Sequence, residues 1–503
     1  MVDLFHNLAL GFGVAFSPVN LMLCLIGALV GTLVGVLPGI GTVATIAMLL
    51  PITFGLPPVG ALIMLAGIYY GAQYGGSTTS VLVNIPGEAT SVITCLDGHQ
   101  MALQGRAGPA LGLAAIGSFI AGTFAIVGLM LVAPALARFA VKFGPAEYFS
   151  LMVLGLSILT YLSHGSLLKA LIMACFGLVL GLIGLDSITG IPRLTFDRME
   201  LVDGVGLVPI VMGLFGVAEI LANLEQKVAR EVVSARIRGL LPSRADWREA
   251  GWPIARGSFL GFLLGILPGG GAVISSFLSY GIEKRMSKTP EQFGKGAIAG
   301  VAGPEAANNA AAGGGFIPLM TLGIPPNVVM ALLLGAFIVH GLQPGPLLMT
   351  QNPGLFWGIV ASMYIGNLML LVLNLPLIGL WVQVLKVPYK ILFPLILLFC
   401  LIGVYSIGNN VFDLYVMIGF GVLGYLMRKF GYEPAPLVLA FVLGPLMENN
   451  LRKALILSDG SFEIFVERPI SLTCLVLALA ILISPLLPML RARRKELAVE
   501  ETR

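Results

Sequence analysis

The sequence predicts an all-α polytopic membrane protein built from two inverted structural repeats, each with a broken helix or re-entrant hairpin. Of its 503 residues 57% are hydrophobic and only 11% are charged, and the mean hydropathy of +0.96 exceeds that of soluble domains. Short Gly-Pro motifs also occur twice along the chain. Apolar stretches long enough to cross the bilayer as helices recur at 110–135, 147–163, 168–185, 205–222, 354–380, 411–427 and 470–490.

Charge predicts which segments face the cytoplasm. Basic residues cluster within 227–256 and 284–295, at Arg428 and Lys429, and in the tail 491–503. The positive-inside rule places these clusters on the cytoplasmic side, so we expect a basic cytoplasmic connector at 224–256 and a cytoplasmic tail. Aromatic residues are few among these basic residues, which argues against a nucleic-acid partner and leaves the lipid bilayer as the expected environment.

An internal comparison divides the chain into two related halves, 1–223 and 257–490. Residues 31–41 read GTLVGVLPGIG and residues 261–271 read GFLLGILPGGG, with seven of the eleven positions identical. A second pair follows in the same order, GGSTTSVLVNIP at 75–86 and GGFIPLMTLGIP at 314–325. Duplicated segments of this kind place the functional site of many transporters at the repeat interface.

The Leu-Pro-Gly motifs predict re-entrant hairpins near 22–50 and 257–282. Basic residues flank both ends of 257–282, so both ends are predicted to be cytoplasmic, and proline with glycine at its centre favours a turn. The segment 22–50 has no charged residue within it or after it until Glu88, which fits entry from the opposite side. The repeats would then be inverted. A single kinked helix is the alternative for each segment.

Irregular backbone at membrane depth predicts a polar site, because unpaired amides in lipid cost several kcal/mol each. Free amides at a half-helix N-terminus attract carboxylates, and exposed carbonyls at a C-terminus coordinate cations such as sodium. The predicted substrate-binding residues are Gly39, Gly41, Ser77, Thr78, Thr79, Ser80, Asn84, Gly269, Gly271, Asn308 and Asn309. The predicted sodium ligands are Gly76, Asn84, Asn309, Thr321 and Gly323. Close helix packing is the alternative role of such small residues.

Charged residues near these motifs receive structural interpretations. Glu88 follows Pro-Gly and Glu305 follows Gly-Pro, so each is predicted to start a helix and stabilise its N-terminus. Glu448 and Arg452 are spaced as an i,i+4 ion pair. The sequence contains no HExxH, GxSxG or GxxxxGK[ST] motif, so we expect neither an enzyme nor an ATPase, and no cofactor other than sodium ions.

These motifs together resemble TctA, the large membrane subunit of the bacterial tripartite tricarboxylate transporters. The resemblance spans almost the whole chain. It rests on the two Leu-Pro-Gly-x-Gly segments, YGGSTTSVLVNIPGE from Tyr74, Thr94, Asp97-Gly98, QGRAG from Gln104, GPEAANNAAAGG from Gly303, TLGIPP from Thr321, LGPLMENNLRKAL from Leu443 and RPI from Arg468. It implies an elevator-type secondary transporter of the bacterial inner membrane, with a small four-helix TctB-like subunit and a periplasmic TctC-like binding protein as partners.

The expected function is import of a tri- or dicarboxylate such as citrate by symport with an ion, sodium in preference to a proton. We also expect a homodimer of the large subunit. The alternative is a channel-like or passive carboxylate permease, which needs broken helices but no coupling ion. A membrane-embedded enzyme would require a nucleophile with its base or a paired acid, and a scaffold subunit would leave the duplicated motifs unexplained.

Overall fold

A computed structural model describes residues 2–37, 39–162, 166–225, 239–269, 271–385 and 389–484. The described residues are 79% helical, which confirms the all-α prediction. Residues 226–238 of the predicted connector and the whole predicted tail lie outside the described residues. Five described helices are long and apolar enough to cross a membrane, namely Pro18–Val36, Ala107–Ala140, Leu207–Glu225, Pro353–Asn374 and Val411–Lys429. The chain is therefore a helical membrane protein.

The described helices are named α1 to α23 in chain order. The first ten are α1 (Val2–Ala15), α2 (Pro18–Val36), α3 (Thr42–Leu49), α4 (Pro58–Val83), α5 (Val92–Leu103), α6 (Ala107–Ala140), α7 (Pro145–Leu162), α8 (Leu167–Gly181), α9 (Leu207–Val211) and α10 (Ala218–Glu225). A π-helical turn, Met212–Val217, joins α9 to α10. Single 3-10 segments lie at Leu50–Gly55, Ala89–Ser91, Met199–Leu201 and Pro290–Gln292.

The remaining helices belong mostly to the second half. They are α11 (Arg244–Ile266), α12 (Ala272–Met286), α13 (Ala299–Gly314), α14 (Phe316–Leu322), α15 (Val328–Val339), α16 (Leu348–Gln351), α17 (Pro353–Asn374), α18 (Ile378–Val384), α19 (Tyr389–Gly408), α20 (Val411–Lys429), α21 (Ala435–Leu457), α22 (Ile464–Glu467) and α23 (Pro469–Ile483). Two short strands, β1 (Gly184–Leu185) and β2 (Pro192–Arg193), pair antiparallel, with Gly184 opposite Arg193.

The chain forms two compact units, and each takes segments from both predicted halves. Unit 1 comprises residues 1–141 and 206–430, and unit 2 comprises 142–205 and 431–503. Both Leu-Pro-Gly motifs lie in unit 1. The compact units therefore do not follow the division at 224–256, and the boundaries of the halves stay a prediction.

Glycines spaced four residues apart bring the helices of unit 1 into backbone contact. A Cβ on Gly27, Gly31 or Gly35 of α2 would lie 2.3–2.5 Å from carbonyl oxygens of α4. On α11, a Cβ at Gly257, Gly261 or Gly265 would lie 2.1–2.3 Å from carbonyl oxygens of α13. These distances are too short for any side chain, so glycine stripes determine how closely both helix pairs pack.

Both Leu-Pro-Gly motifs interrupt their helices, at corresponding positions. α2 ends at Val36 and α3 begins at Thr42, while α11 ends at Ile266 and α12 begins at Ala272. Glycines in both breaks have positive φ, a conformation that L side chains rarely adopt: Gly39 and Gly41, and Gly269 and Gly271. The helix–break–helix structure therefore follows from the local residues in both copies.

A salt bridge joins the two arms of the second motif at the ends away from the break. Arg256 of α11 donates from Nε and Nη2 to the carboxylate of Glu283 on α12, at 2.8 and 2.5 Å. The Glu283 carboxylate is buried, whereas about a third of the Arg256 side chain is exposed. Because both residues lie about ten positions from the break, α11 and α12 run back along each other.

Unit 2 contains a network of four charged side chains. Arg452 contacts Glu448 at 3.2 Å, which confirms the predicted ion pair, and also contacts Asp186 at 2.5 Å. Arg193 of β2 contacts Glu448 at 2.7 Å, so the network fastens the β1–β2 hairpin to α21. Hydrogen bonds from the Thr189 backbone and the Arg452 guanidinium hold the pKa of Asp186 well below its usual range.

We expect Arg256→Gln to destabilise unit 1, because the substitution leaves the buried Glu283 carboxylate without its counter-charge. The loss should be about 2 kcal/mol, below the range for a fully buried pair because Arg256 is partly exposed. The double variant R256Q/E283Q should recover much of this loss. Thermal unfolding of the purified protein in detergent measures both, and equal destabilisation of the single and double variants would contradict the assignment.

Candidate functional site

A buried carboxylate lies at the centre of a polar cluster in unit 1. Glu305 of α13 is completely buried and accepts a hydrogen bond from the Ser77 hydroxyl at 2.6 Å. The Thr94 hydroxyl donates to its other oxygen, and Asn308 donates at 3.4 Å. All of these partners are neutral, and they come from α4, α5 and α13. Two consecutive helices, α4 and α5, thus contribute partners to an ionisable group on α13, which is distant from both in the sequence.

Asn309 extends this cluster towards α6. Its amide nitrogen donates to the Ser118 hydroxyl at 2.7 Å, to the Asn308 side-chain oxygen at 2.5 Å and to the Glu305 backbone carbonyl at 3.0 Å. The structure therefore brings together three residues that were predicted for the site from the sequence, Ser77, Asn308 and Asn309. They surround Glu305, which was predicted to start a helix.

The helix-start interpretation of Glu305 is wrong. The residue lies in the interior of α13, directly after Pro304, which is itself inside the helix. A proline at this position removes one backbone donor but does not end the helix. Alanine and glycine make up most of the surrounding sequence, so α13 is thin enough for α4 and α6 to approach the carboxylate.

Glu88 is the N-cap residue of the 3-10 turn Ala89–Ser91, which confirms its predicted place at a helix start, and its carboxylate also bonds to a second helix. It accepts hydrogen bonds from the backbone amide of Thr42, at 2.8 Å, and from the Thr42 hydroxyl. Thr42 is the first residue of α3, so Glu88 stabilises the helix that begins after the first Leu-Pro-Gly break. The second break has a different link, because the Gly269 amide donates to the Pro326 carbonyl at 2.8 Å.

Asp97 organises the approach to α13, a role that sequence reasoning missed. This buried carboxylate of α5 lies one turn after Thr94. It accepts hydrogen bonds of 2.8–2.9 Å from the amides of Gly294, Gly296 and Ala297 and from the Tyr280 hydroxyl. An acid within an otherwise weakly polar segment was the available signal. The partners of Asp97 could not be identified from the sequence, because they are distant along the chain and meet Asp97 only when α5 packs beside α13.

The other predicted residues are dispersed among local hydrogen bonds. Thr79 donates to the Val36 carbonyl at the end of α2, and Ser80 donates to Ser91. Thr321 donates to its own helix, at Ile317. Asn84 and Gly323 occupy corresponding places, since each has positive φ and ends a helix, α4 and α14 respectively. Gly76 lies beside the Glu88 backbone.

Two cavities in unit 1 differ in character. One of about 10 Å³, roughly the space for one water molecule, is lined by Tyr74, Ser77, Thr78, Leu111, Ala114, Ala115, Ser118 and Asn374. The other, about 400 Å³ and more open, lies at the Arg256–Glu283 pair and is lined mainly by apolar side chains, including Trp252 and Phe259. The charged groups of the larger cavity pair with each other, whereas the smaller cavity lies beside the Glu305 cluster and shares Ser77 with it.

The described residues contain no group of three or more histidine, cysteine, aspartate or glutamate side chains that could hold a metal ion. A site for a transition metal therefore has no support in that part of the chain. A site for an alkali cation needs only hydroxyl and carbonyl oxygens, and the small cavity is lined by residues that carry them.

We expect Asp97→Ala to destabilise the protein by about 2–4 kcal/mol, because it leaves several buried amides without an acceptor. Thermal unfolding in detergent measures the change. Asp203→Ala, which removes an exposed acid, is the matched control and should have little effect. Equal unfolding temperatures for Asp97→Ala and the wild type would show that these hydrogen bonds do not stabilise the start of α13.

Comparison with known proteins identifies the family. The chain is 57% identical over 501 residues to an "Uncharacterized 52.8 kDa protein in TAR-I ttuC' 3'region" of Agrobacterium vitis, and the alignment covers 100% of both chains. It is 58% identical over 241 residues to an "Uncharacterized protein in TAR-II ttuC' 3'region" of the same organism, covering 48% of this chain and 100% of that protein. No solved structure matches the chain. The family described as "Tripartite tricarboxylate transporter TctA family" matches residues 21–439, and the chain therefore belongs to this family of large transporter subunits.

Proposed function

We propose that this protein is the translocating subunit of a secondary active importer, which takes up an organic carboxylate by symport with sodium. The observation that carries the proposal is Glu305, a completely buried carboxylate that is hydrogen-bonded by neutral side chains in the middle of a helical membrane protein. An ionisable group in that environment is expensive and is typical of ion or substrate pathways. Membership of the TctA family supports a tricarboxylate or a related dicarboxylate, such as citrate, as substrate.

The two helix breaks are the proposed contacts for the substrate carboxylates. A Cβ added at Gly41 or Gly271 would meet no atom within 4 Å, so both glycines border open space. The N-terminus of α12 at Gly271 has no side-chain cap, whereas Glu88 already occupies that of α3. Unpaired amides at a helix N-terminus favour an anion. We propose that the buried hydroxyls near Ser77 act mainly on the coupling ion.

The matching breaks support inverted repeats, which we propose as the basis of alternating access. In each copy the helix before the break packs through a glycine stripe against a second helix, α4 or α13. We propose that α2–α3 and α11–α12 are re-entrant hairpins entering from opposite sides. The elevator movement is proposed for unit 1, which contains both breaks and the Glu305 cluster.

The proposed assembly follows from the tripartite character of the family. Its partners are a small TctB-like membrane subunit and a periplasmic TctC-like protein that delivers the substrate, in the bacterial inner membrane. A homodimer of the large subunit is part of the same proposal. A passive permease is the competing function, and it would need no buried carboxylate on the translocation path.

We expect concentrative uptake of a radiolabelled tri- or dicarboxylate into proteoliposomes that contain the chain and its small partner, with binding protein outside. Uptake should require an inward sodium gradient and should fall at least about tenfold in Ser77→Ala and Asn309→Ala, because each loses a buried hydrogen bond of the cluster. Ser362→Ala, which removes a buried hydroxyl that donates to the Ile359 carbonyl of its own helix, is the control. Uptake that merely equilibrates, with or without the gradient, would favour the passive permease.

A further inference from the structure

The small cavity beside Glu305 contains a buried oxygen that has no hydrogen-bond partner. Asn374, the last residue of α17, lines this cavity and is 3% exposed. Its amide nitrogen donates to the Leu370 carbonyl at 2.9 Å, which settles the orientation of the amide. Its side-chain oxygen is unpaired. A buried acceptor without a donor is destabilising, so this oxygen is available to a ligand.

We propose that this cavity binds a single dehydrated sodium ion, held by oxygens of Tyr74, Ser77, Thr78, Ser118 and Asn374. These residues come from α4, α6 and α17, so the ion would join three helices of unit 1. The proposal rests on the proposed function and gives its coupling ion a location. Of the sodium ligands predicted from the sequence, Asn309 reaches this cavity indirectly, through its hydrogen bond to Ser118.

The hydrogen bonds of the lining residues leave their oxygens available to a cation. The Ser77 hydroxyl donates its hydrogen to Glu305, and the Tyr74 hydroxyl donates to Asn367 at 2.6 Å. Each of these oxygens uses its hydrogen as the donor and therefore keeps lone pairs that can coordinate a cation. The Asn374 oxygen contributes a carbonyl dipole, the strongest neutral ligand of the set.

Glu305 supplies the compensating negative charge. It does not line the cavity but accepts a hydrogen bond from Ser77, which does. The charged groups on the surrounding helices have other partners: Asp97 of α5 accepts from backbone amides, Arg256 of α11 pairs with Glu283 of α12, and Arg106 before α6 pairs with Asp246. The Glu305 charge acts on two neighbouring titratable groups, Tyr74 and Cys95, which are neutral when protonated. One carboxylate without a basic hydrogen-bond partner balances one positive charge, which favours a monovalent ion.

The ligand chemistry selects an alkali cation. Oxygen atoms without thiolate or imidazole suit hard cations, and the absence of a second carboxylate disfavours magnesium and calcium. A volume of about 10 Å³ excludes an ion that keeps its hydration shell. The polar side chains that line the cavity offer five oxygens at most, in a space for about one water molecule. Among alkali cations, so small a site favours sodium over the larger potassium.

The test is binding of ²²Na⁺ to the purified full-length chain in detergent, with displacement by unlabelled sodium, potassium or lithium. We expect saturable binding that sodium displaces better than potassium. Asn374→Ala and Ser118→Ala should each weaken binding at least about tenfold through loss of one ligand. Asn374→Asp keeps a ligand oxygen and should retain binding, while Ser362→Ala is the control for a buried serine outside the cavity.

Unchanged sodium affinity in folded Asn374→Ala and Ser118→Ala would overturn the site, and so would absence of saturable binding to the wild type. Size-exclusion profiles and unfolding temperatures identify a variant that misfolds. If Asn374→Ala misfolds, the sodium affinities of Asn374→Asp and Ser118→Ala decide. The uptake assay separates this proposal from the proposed function. Sodium-driven uptake with unaffected variants would refute the site alone, whereas site-dependent binding without concentrative uptake would refute the transport proposal alone.

Discussion

The need to pair every polar group inside the protein constrains this structure more than any other interaction. Lipid offers no hydrogen-bond partner, so two helix breaks and a buried glutamate must all be satisfied by the chain itself. Glu88 pairs with the first amide of α3, Asp97 with the amides that precede α13, and three neutral side chains with Glu305. Apart from Asn308, which lies on α13 itself, each of these partners is remote in sequence from the acid that it contacts, so the polar groups also hold the helices in register.

Close helix packing makes these contacts reachable. The glycine stripes of α2 and α11 allow their partners α4 and α13 to approach at backbone distance. α4 carries Ser77 and α13 carries Glu305, so the same packing that builds the two helix pairs delivers both members of the central hydrogen bond. The glycine stripes show the packing role that small residues have near the motifs, whereas the binding role of the neighbouring hydroxyls and amides belongs to the proposal.

Sequence reasoning performed best where local chemistry decides. The breaks after Val36 and Ile266 were predictable, because glycine in a left-handed conformation beside proline cannot continue a helix. The Glu448–Arg452 pair was predictable from helical spacing, although its extension to Asp186 and Arg193 was not. Glu305 was misassigned because proline in the first turn of a helix is common, and only the packed structure shows that α13 continues through Pro304.

By itself the sequence determined the membrane class, the helical fold, the place of both breaks and the family, because hydropathy and glycine-proline chemistry act over a few residues. The tertiary structure alone decided which polar groups meet. Ser77, Thr94 and Glu305 form one cluster, and α6 and α17 bring Ser118 and Asn374 to the same cavity. These pairings span long stretches of chain and depend on how glycine-lined helices pack, so no local pattern encodes them.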